Sequence, residues 1–142
     1  MADRGQVEEI LFNLIRNAGQ AIEPPGTIWI RAHANGDAQV RIEIADTGCG
    51  IPSDTLGKIF DPFFTTKEPG KGTGLGLFIV RQIIERNRGR ISVESTVGRG
   101  TTFFLDFPSA TVAPVHVAAR SDANLEERGR MLRGRRASQA SA

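Results

Sequence analysis

Asp46-Thr47-Gly48-Cys49-Gly50-Ile51-Pro52 is the stretch on which the reading turns. Residues 39 to 46 place Val40, Ile42 and Ile44 at alternate positions, the period of a half-buried strand. A carboxylate closes that strand and two glycines follow it, again at alternate positions. An aspartate at a strand end can accept a hydrogen bond from an amino group, and glycines beside it leave room for a flat ligand. Asp-Thr-Gly is also an ordinary exit from a strand into a turn. The stretch alone leaves both readings open.

Working outward, Asn35-Gly36-Asp37 is a strong turn signal, and residues 27 to 34 hold Ile28, Trp29 and Ile30. Two strands about that turn predict a hairpin. Before it, Val7, Ile10, Leu11, Leu14, Ala18, Ala21 and Ile22 recur at helical spacing, so residues 5 to 22 read as an amphipathic helix ended by Pro24-Pro25-Gly26. Downstream, Ser53 or Asp54 is placed to cap a short helix over residues 56 to 60. Residues 61 to 74 read as a loop. Residues 75 to 87 read as a second amphipathic helix carrying Leu75, Phe78, Ile79, Ile83 and Ile84. Residues 90 to 95 and 101 to 107 read as two strands joined at Val97-Gly98-Arg99-Gly100. This order predicts an α+β domain, a two-layer α/β sandwich with helices on one face of the sheet. A parallel crossover has room only between Asp46 and Arg90.

The 142 residues suit one compact domain, with 39% apolar and 24% charged side chains. The domain is expected over residues 1 to 108. Residues 109 to 142 are dominated by Ala, Ser, Arg and Gly and read as a disordered or linker tail, with a short helix over 121 to 133 as the alternative. The net charge of +2 is small, and there is no tyrosine and only one tryptophan, so no basic and aromatic stripe for nucleic acid is expected. No apolar run reaches membrane-spanning length, and the first residues lack the apolar core of a secretory signal. One cysteine excludes an intrachain disulfide and a multi-cysteine metal site, which fits a reducing, cytoplasmic setting.

Two further constellations bear chemistry. Gly70-Lys71-Gly72-Thr73-Gly74-Leu75-Gly76 runs into the second helix. Glycines leading into a helix N-terminus expose N–H groups to an anion, and Lys67 and Lys71 add positive charge. The spacing is neither a Walker loop nor a dinucleotide fingerprint; the bland alternative is a flexible linker. On the first helix Glu9, Asn13 and Asn17 lie at i, i+4 and i+8 and stack along one side. At roughly 100° per residue, Asn17 falls at the edge of the apolar stripe and Asn13 further round. Amide oxygens suit magnesium, which keeps waters and shares phosphate oxygens; a solvated helix face is the plainer reading. Together the three stretches supply a base contact, a phosphate cradle and a metal ligand.

In that order, the sequence resembles the catalytic ATP-binding domain of sensor histidine kinases, within the superfamily that includes gyrase, Hsp90 and MutL. Asn13-Leu-Ile-Arg-Asn17-Ala resembles the asparagine box, and Asp46-Thr-Gly48-Cys-Gly50-Ile51 the first glycine box. Phe60-Asp-Pro-Phe-Phe64 resembles the phenylalanine box, Gly72-Thr73-Gly74-Leu75-Gly76 the second glycine box, and Gly98-Arg-Gly100-Thr101 the last. The resemblance covers residues 6 to 108 and implies the Bergerat fold with a mixed sheet. It implies that Asn17 coordinates Mg2+, with Asn13 close to metal and phosphates. Asp46 would accept the adenine amino group, with Gly48, Gly50 and Ile51 beside the base. Gly72, Thr73, Gly74, Leu75 and Gly76 would shape the lid hinge and contact phosphates with Lys71. Thr101 would support the base pocket, and the phenylalanine box, Phe60 to Phe64, and Lys67 would belong to a lid that closes on ATP. Asn13 and Lys67 are the implied catalytic residues. Where gyrase-like and Hsp90-like ATPases carry a water-activating glutamate, position 13 is asparagine, which fits a kinase. The short lid and Asn17-Ala-Gly-Gln-Ala21 are similar to the nitrogen-regulation type.

The sequence opens just before the asparagine box, so the phosphoacceptor histidine is expected on a separate dimerisation domain, with a response regulator downstream. The isolated chain is expected to be monomeric, without membrane contact. His33 and His116 are expected to be bystanders, and Cys49 a small packed residue. Two rival classes share the residues: a nucleotide-binding signalling module without transfer, and a serine kinase of the anti-sigma type.

Overall fold

The computed structural model describes residues 3–36, 38–68 and 72–109. They lie within a unit spanning Met1–Thr111. The expected tail from residue 110 onward, with its candidate helix over 121 to 133, lies outside the described residues, as does Lys71.

The chain forms α1 (Arg4–Ala21), β1 (Ile28–Ala34), β2 (Gln39–Asp46), α2 (Gly76–Arg86), β3 (Arg90–Thr96) and β4 (Gly100–Pro108). Asp3 caps α1: its side chain accepts the Gln6 N–H at 2.9 Å while the Gln6 side chain reaches back to the Asp3 N–H, a reciprocal capping box. Gln6 also ties the helices together, because its Oε1 accepts Asn87 Nδ2 at 2.9 Å from the end of α2. The apolar stripes of both helices meet one face of the sheet. Ile10, Leu14, Ile44, Val80, Ile84 and Leu105 are under 2% exposed, and Ile59, Ile83 and Phe103 complete the buried cluster. Full burial of one such side chain is worth about 1.5–3 kcal/mol.

The expected short helix over 56 to 60 does not form. Residues 53 to 63 are successive turns, with Thr55 N donating to Pro52 O, Lys58 N to Thr55 O and Asp61 N to Lys58 O. Gly57 in mid-segment and prolines at 52 and 62 weaken a continuous helix there.

The sheet has four strands in the order β1-β2-β4-β3. The mixed sheet expected from the resemblance is not what forms, since every pairing is antiparallel. The crossover through α2 carries β3 past the neighbouring position, and β4 returns by a tight turn to fill it. β2 and β3 therefore run in the same direction without pairing. The sheet face away from the helices carries the Arg41–Asp106 pair. Arg41 Nε and Nη2 hold the two carboxylate oxygens at 2.7 and 2.8 Å, and the guanidinium lies over Phe104 at 5.4 Å. That contact, with Asn35 beside it, holds the Asp106 carboxyl below the usual carboxylate range. Among the described residues no helix is long and apolar enough to cross a membrane.

Candidate functional site

The segment after β2 is held from three sides. At the end of α1, Ala21 O accepts the Cys49 N–H at 2.9 Å. At the start of β1, Thr47 N donates to Thr27 O at 3.1 Å, and Thr27 N donates to Thr47 Oγ1 at 2.9 Å. From the β3–β4 hairpin, Gly98 N donates to Cys49 O at 2.8 Å, and Ser95 Oγ accepts the Ile51 N–H at 2.8 Å. A loop with its backbone groups so paired keeps its shape without a ligand.

This loop fixes Asp46. Its side chain is buried at the end of β2, and Oδ1 accepts the Gly48 N–H at 2.8 Å and the Thr101 N–H at 3.3 Å. Among the described residues no donor meets Oδ2, and the aspartate lines a cavity. One carboxylate oxygen is thus spent on orientation and the other is left for a ligand. Gly48 lies behind the wall: a Cβ there would come within 2.7 Å of Ala21 Cβ and 2.8 Å of Asp46 Oδ1. The close approach it permits is between α1 and the β2 end. Thr101 joins the same wall, with its hydroxyl 2.9 Å from Ser95 Oγ.

The cavity has a volume of about 490 Å³. It gathers Asn17, Asp46, Gly50, Ile51, Lys67, Gly72, Thr73, Gly74, Gly76 and Thr101 from the expected set. Asn13, Gly48, Phe60 and Leu75 stand behind or beside it. Phe60 meets Phe103 edge-on at 6.5 Å between ring centres, and Phe103 lines the cavity together with Phe64. Leu75 caps α2. Phe64 is on the wall as part of the phenylalanine box, and Arg16, Gln20, Ala21, Cys49 and Phe103 are wall residues that the sequence reading did not assign to the site. Arg16 and Gln20 lie off the apolar stripe of α1, and no local signal in the sequence marks them.

Of the two asparagines, Asn17 keeps its expected place at the edge of the apolar stripe, and Asn13, expected further round, departs from it. Asn13 is buried while Asn17 is half-buried and on the wall. α2 packs on the flank where Asn13 sits, and Gly76 makes room: a Cβ there would be 3.0 Å from Asn13 Oδ1. Asn13 Nδ2 donates to Glu9 O at 3.0 Å, which turns its Oδ1 toward α2. The side chain of Asn17 takes no hydrogen bond among the described residues. No cluster of three His, Cys, Asp or Glu side chains exists among them either. A cation held by amide oxygen here would draw most of its ligands from water and phosphate, the habit of magnesium. The residues fit that ion.

Lys67 reaches across the cavity to Gln20 Oε1 on α1. Burial lowers the Lys67 pKa below the ordinary lysine value, and the nearby Arg16 charge lowers it further. Cys49, expected to be packed, is exposed at the cavity, with its backbone paired to Ala21 and Gly98 and its Sγ 3.6 Å from Gly50 O. His33 stands on β1 with Nε2 3.8 Å from Glu43, away from the cavity wall.

Residues 2–111 match the family profile of histidine kinase-, DNA gyrase B- and HSP90-like ATPases. The sensor kinase CckA of Brucella abortus is 46% identical over 121 residues, covering 75% of this chain and 13% of that protein. The signal transduction histidine-protein kinase AtoS of Escherichia coli is 47% identical over 107 residues, covering 75% of this chain and 17% of that protein. Among solved structures, full-length ShkA in complex with AMPPNP superposes with a TM-score of 0.70 at 35% identity, over 78% of this chain and 23% of that one. The nucleotide-free catalytic domain of histidine kinase ThkA gives a TM-score of 0.66 at 39% identity, over 75% of this chain and 69% of that one. The chain spans less than a quarter of the length of these curated relatives. With Asp46, Asn17 and the glycine hinge around one cavity, the chain belongs to the histidine kinase-, DNA gyrase B- and HSP90-like ATPase family, and its relatives within that family are sensor histidine kinases.

Proposed function

We propose that this domain binds Mg-ATP and donates the γ-phosphate to a histidine on a separate dimerisation and phosphoacceptor domain, in a cytoplasmic two-component pathway with a response regulator downstream. The observation that carries the reading is the charge around one cavity: a carboxylate with a free acceptor oxygen at Asp46 and cations at Lys67 and Arg16. A ligand with a hydrogen-bond-donating edge at one end and a polyanion at the other matches that arrangement. In this reading Asp46 takes the adenine amino group, and Gly50, Ile51 and Thr101 flank the base. Asn17 would hold magnesium, which would supply charge neutralisation to the phosphates. Lys67 and the hinge Gly72-Thr73-Gly74-Leu75-Gly76 meet the phosphates, with Lys71 on the same segment, and the first turn of α2 offers its N–H groups. Asn13 fixes the α1–α2 approach beneath them. Phosphoryl transfer asks the protein for positioning and neutralisation. A neutral imidazole already carries a lone pair, so no strong base is needed on this chain.

The test is incubation with γ-labelled ATP, magnesium and a phosphoacceptor domain from a histidine kinase of the same type. Acid-labile, base-stable label on the acceptor is the expected result. Binding without transfer to any acceptor would make the chain a nucleotide-sensing module, and acid-stable, base-labile label would make it a serine kinase.

A further inference from the structure

We propose that Arg16 is a ligand of the terminal phosphate and gives the site its preference for a nucleoside triphosphate over the diphosphate. This rests on the nucleotide reading above. Arg4, Arg41 and Arg81 each hold a carboxylate at 2.7 Å. Among the described residues no carboxylate stands within ion-pair reach of Arg16 or Lys67. These two cations line one cavity, where Lys67 reaches Gln20 on α1 and lies close enough to Arg16 for that charge to disfavour its protonation. Like charges gathered without a counter-ion repel each other, and the gathering becomes favourable when an anion lies between them.

The position of Arg16 selects which anionic group it meets. Ala21 marks the Asp46 end of α1, since its carbonyl holds Cys49 and its side chain adjoins Gly48. Arg16 is five residues earlier, about 7.5 Å back along the axis at 1.5 Å per residue. Helical side chains lean toward their own N-terminus, which adds to that distance. The Arg16 guanidinium rests over the Phe12 ring at 5.8 Å, and its Nη2 is 3.7 Å from where a Cβ on Gly76 would stand. It therefore faces the first turn of α2, whose opening N–H groups lack partners within that helix. A phosphate chain anchored by its base at Asp46 reaches this corner with its last group.

Arg16 is exposed, so its replacement leaves the core intact. Calorimetric titration of the 142-residue chain with Mg-ATP and with Mg-ADP, on wild type, Arg16→Gln and Arg16→Lys, reads the effect. Loss of one charge-assisted contact predicts Mg-ATP affinity about tenfold weaker in Arg16→Gln, with Mg-ADP affinity within about twofold of wild type. Arg16→Lys keeps the charge and should restore part of the ATP affinity. Equal losses for both nucleotides, or no loss for either, would overturn the assignment of Arg16 while leaving the nucleotide site standing. Wild type binding neither nucleotide would overturn both.

Discussion

Asp46 and Thr101 are partners in the β2–β4 register, and the backbone N–H of Thr101 also donates to the Asp46 side chain at 3.3 Å. With the Gly48 N–H on the same oxygen, the carboxylate cannot turn without breaking two hydrogen bonds. An asparagine here would keep its oxygen on those two donors and present its NH2 group to the cavity. A ligand amino group would then face a donor. Asp46→Asn is expected to keep the melting temperature close to wild type and to weaken Mg-ATP binding about tenfold to a hundredfold, the size of a buried unsatisfied donor. Parallel thermal melts and nucleotide titration check it; unchanged affinity would remove Asp46 from the site.

Lys67 gives the site a pH signature. Burial and the Arg16 charge hold its pKa below the ordinary lysine value. A bound polyanion raises that pKa, so binding takes up a proton wherever the free amino group is partly neutral. ATP affinity should be full below the free-state pKa, fall as pH rises through the interval between free and bound values, and level off above it. Titration at alkaline pH in buffers of different ionisation enthalpy measures the uptake, and Lys67→Gln should abolish it.

The Cys49 side chain is exposed at the cavity wall, and it is the only thiol in the chain. A nucleotide seated against Asp46 should cover it. Alkylation by iodoacetamide is expected to slow several-fold on saturation with Mg-ATP, with no slowing from inorganic phosphate alone. Equal rates with and without ATP would place the base elsewhere.

On the far face of the sheet, the Asp106 carboxyl is held below the usual carboxylate range by Arg41, with Asn35 adding a hydrogen bond. A folded-state pKa below the unfolded one contributes stability that is present above the unfolded value and lost as pH falls through the folded value. Asp106→Asn should therefore lower the melting temperature at neutral pH and flatten its decline in acid. A series of melts from neutral to acidic pH decides this.

The elements with strong periods were legible to within a residue or two. β2 falls on residues 39 to 46 as the alternation of Val40, Ile42 and Ile44 requires, and α1 and α2 follow their apolar stripes. Pairing across the sheet was not legible, because β4 inserts between β2 and β3 through contacts separated by more than fifty residues, and no local signal encodes that. The site divides in the same way. Asp46 and the glycine hinge carry backbone requirements that show in sequence. Arg16, Gln20 and Phe103 acquire their place only when α1, the turns after β2 and β4 close on one space. The burial of Asn13 has the same origin: a helical projection knows one helix and not the neighbour that Gly76 admits.

The hydrogen bond from Asn87 Nδ2 to Gln6 Oε1 pins α1 and α2 at the end remote from the cavity. At the other end Gly76 and Asn13 bring them close with no side-chain clasp between them among the described residues. The helices thus resemble tongs riveted at one extremity. Were the two helices to part, the end at Gly76 and Asn13 would open more readily than the end that Asn87 and Gln6 hold.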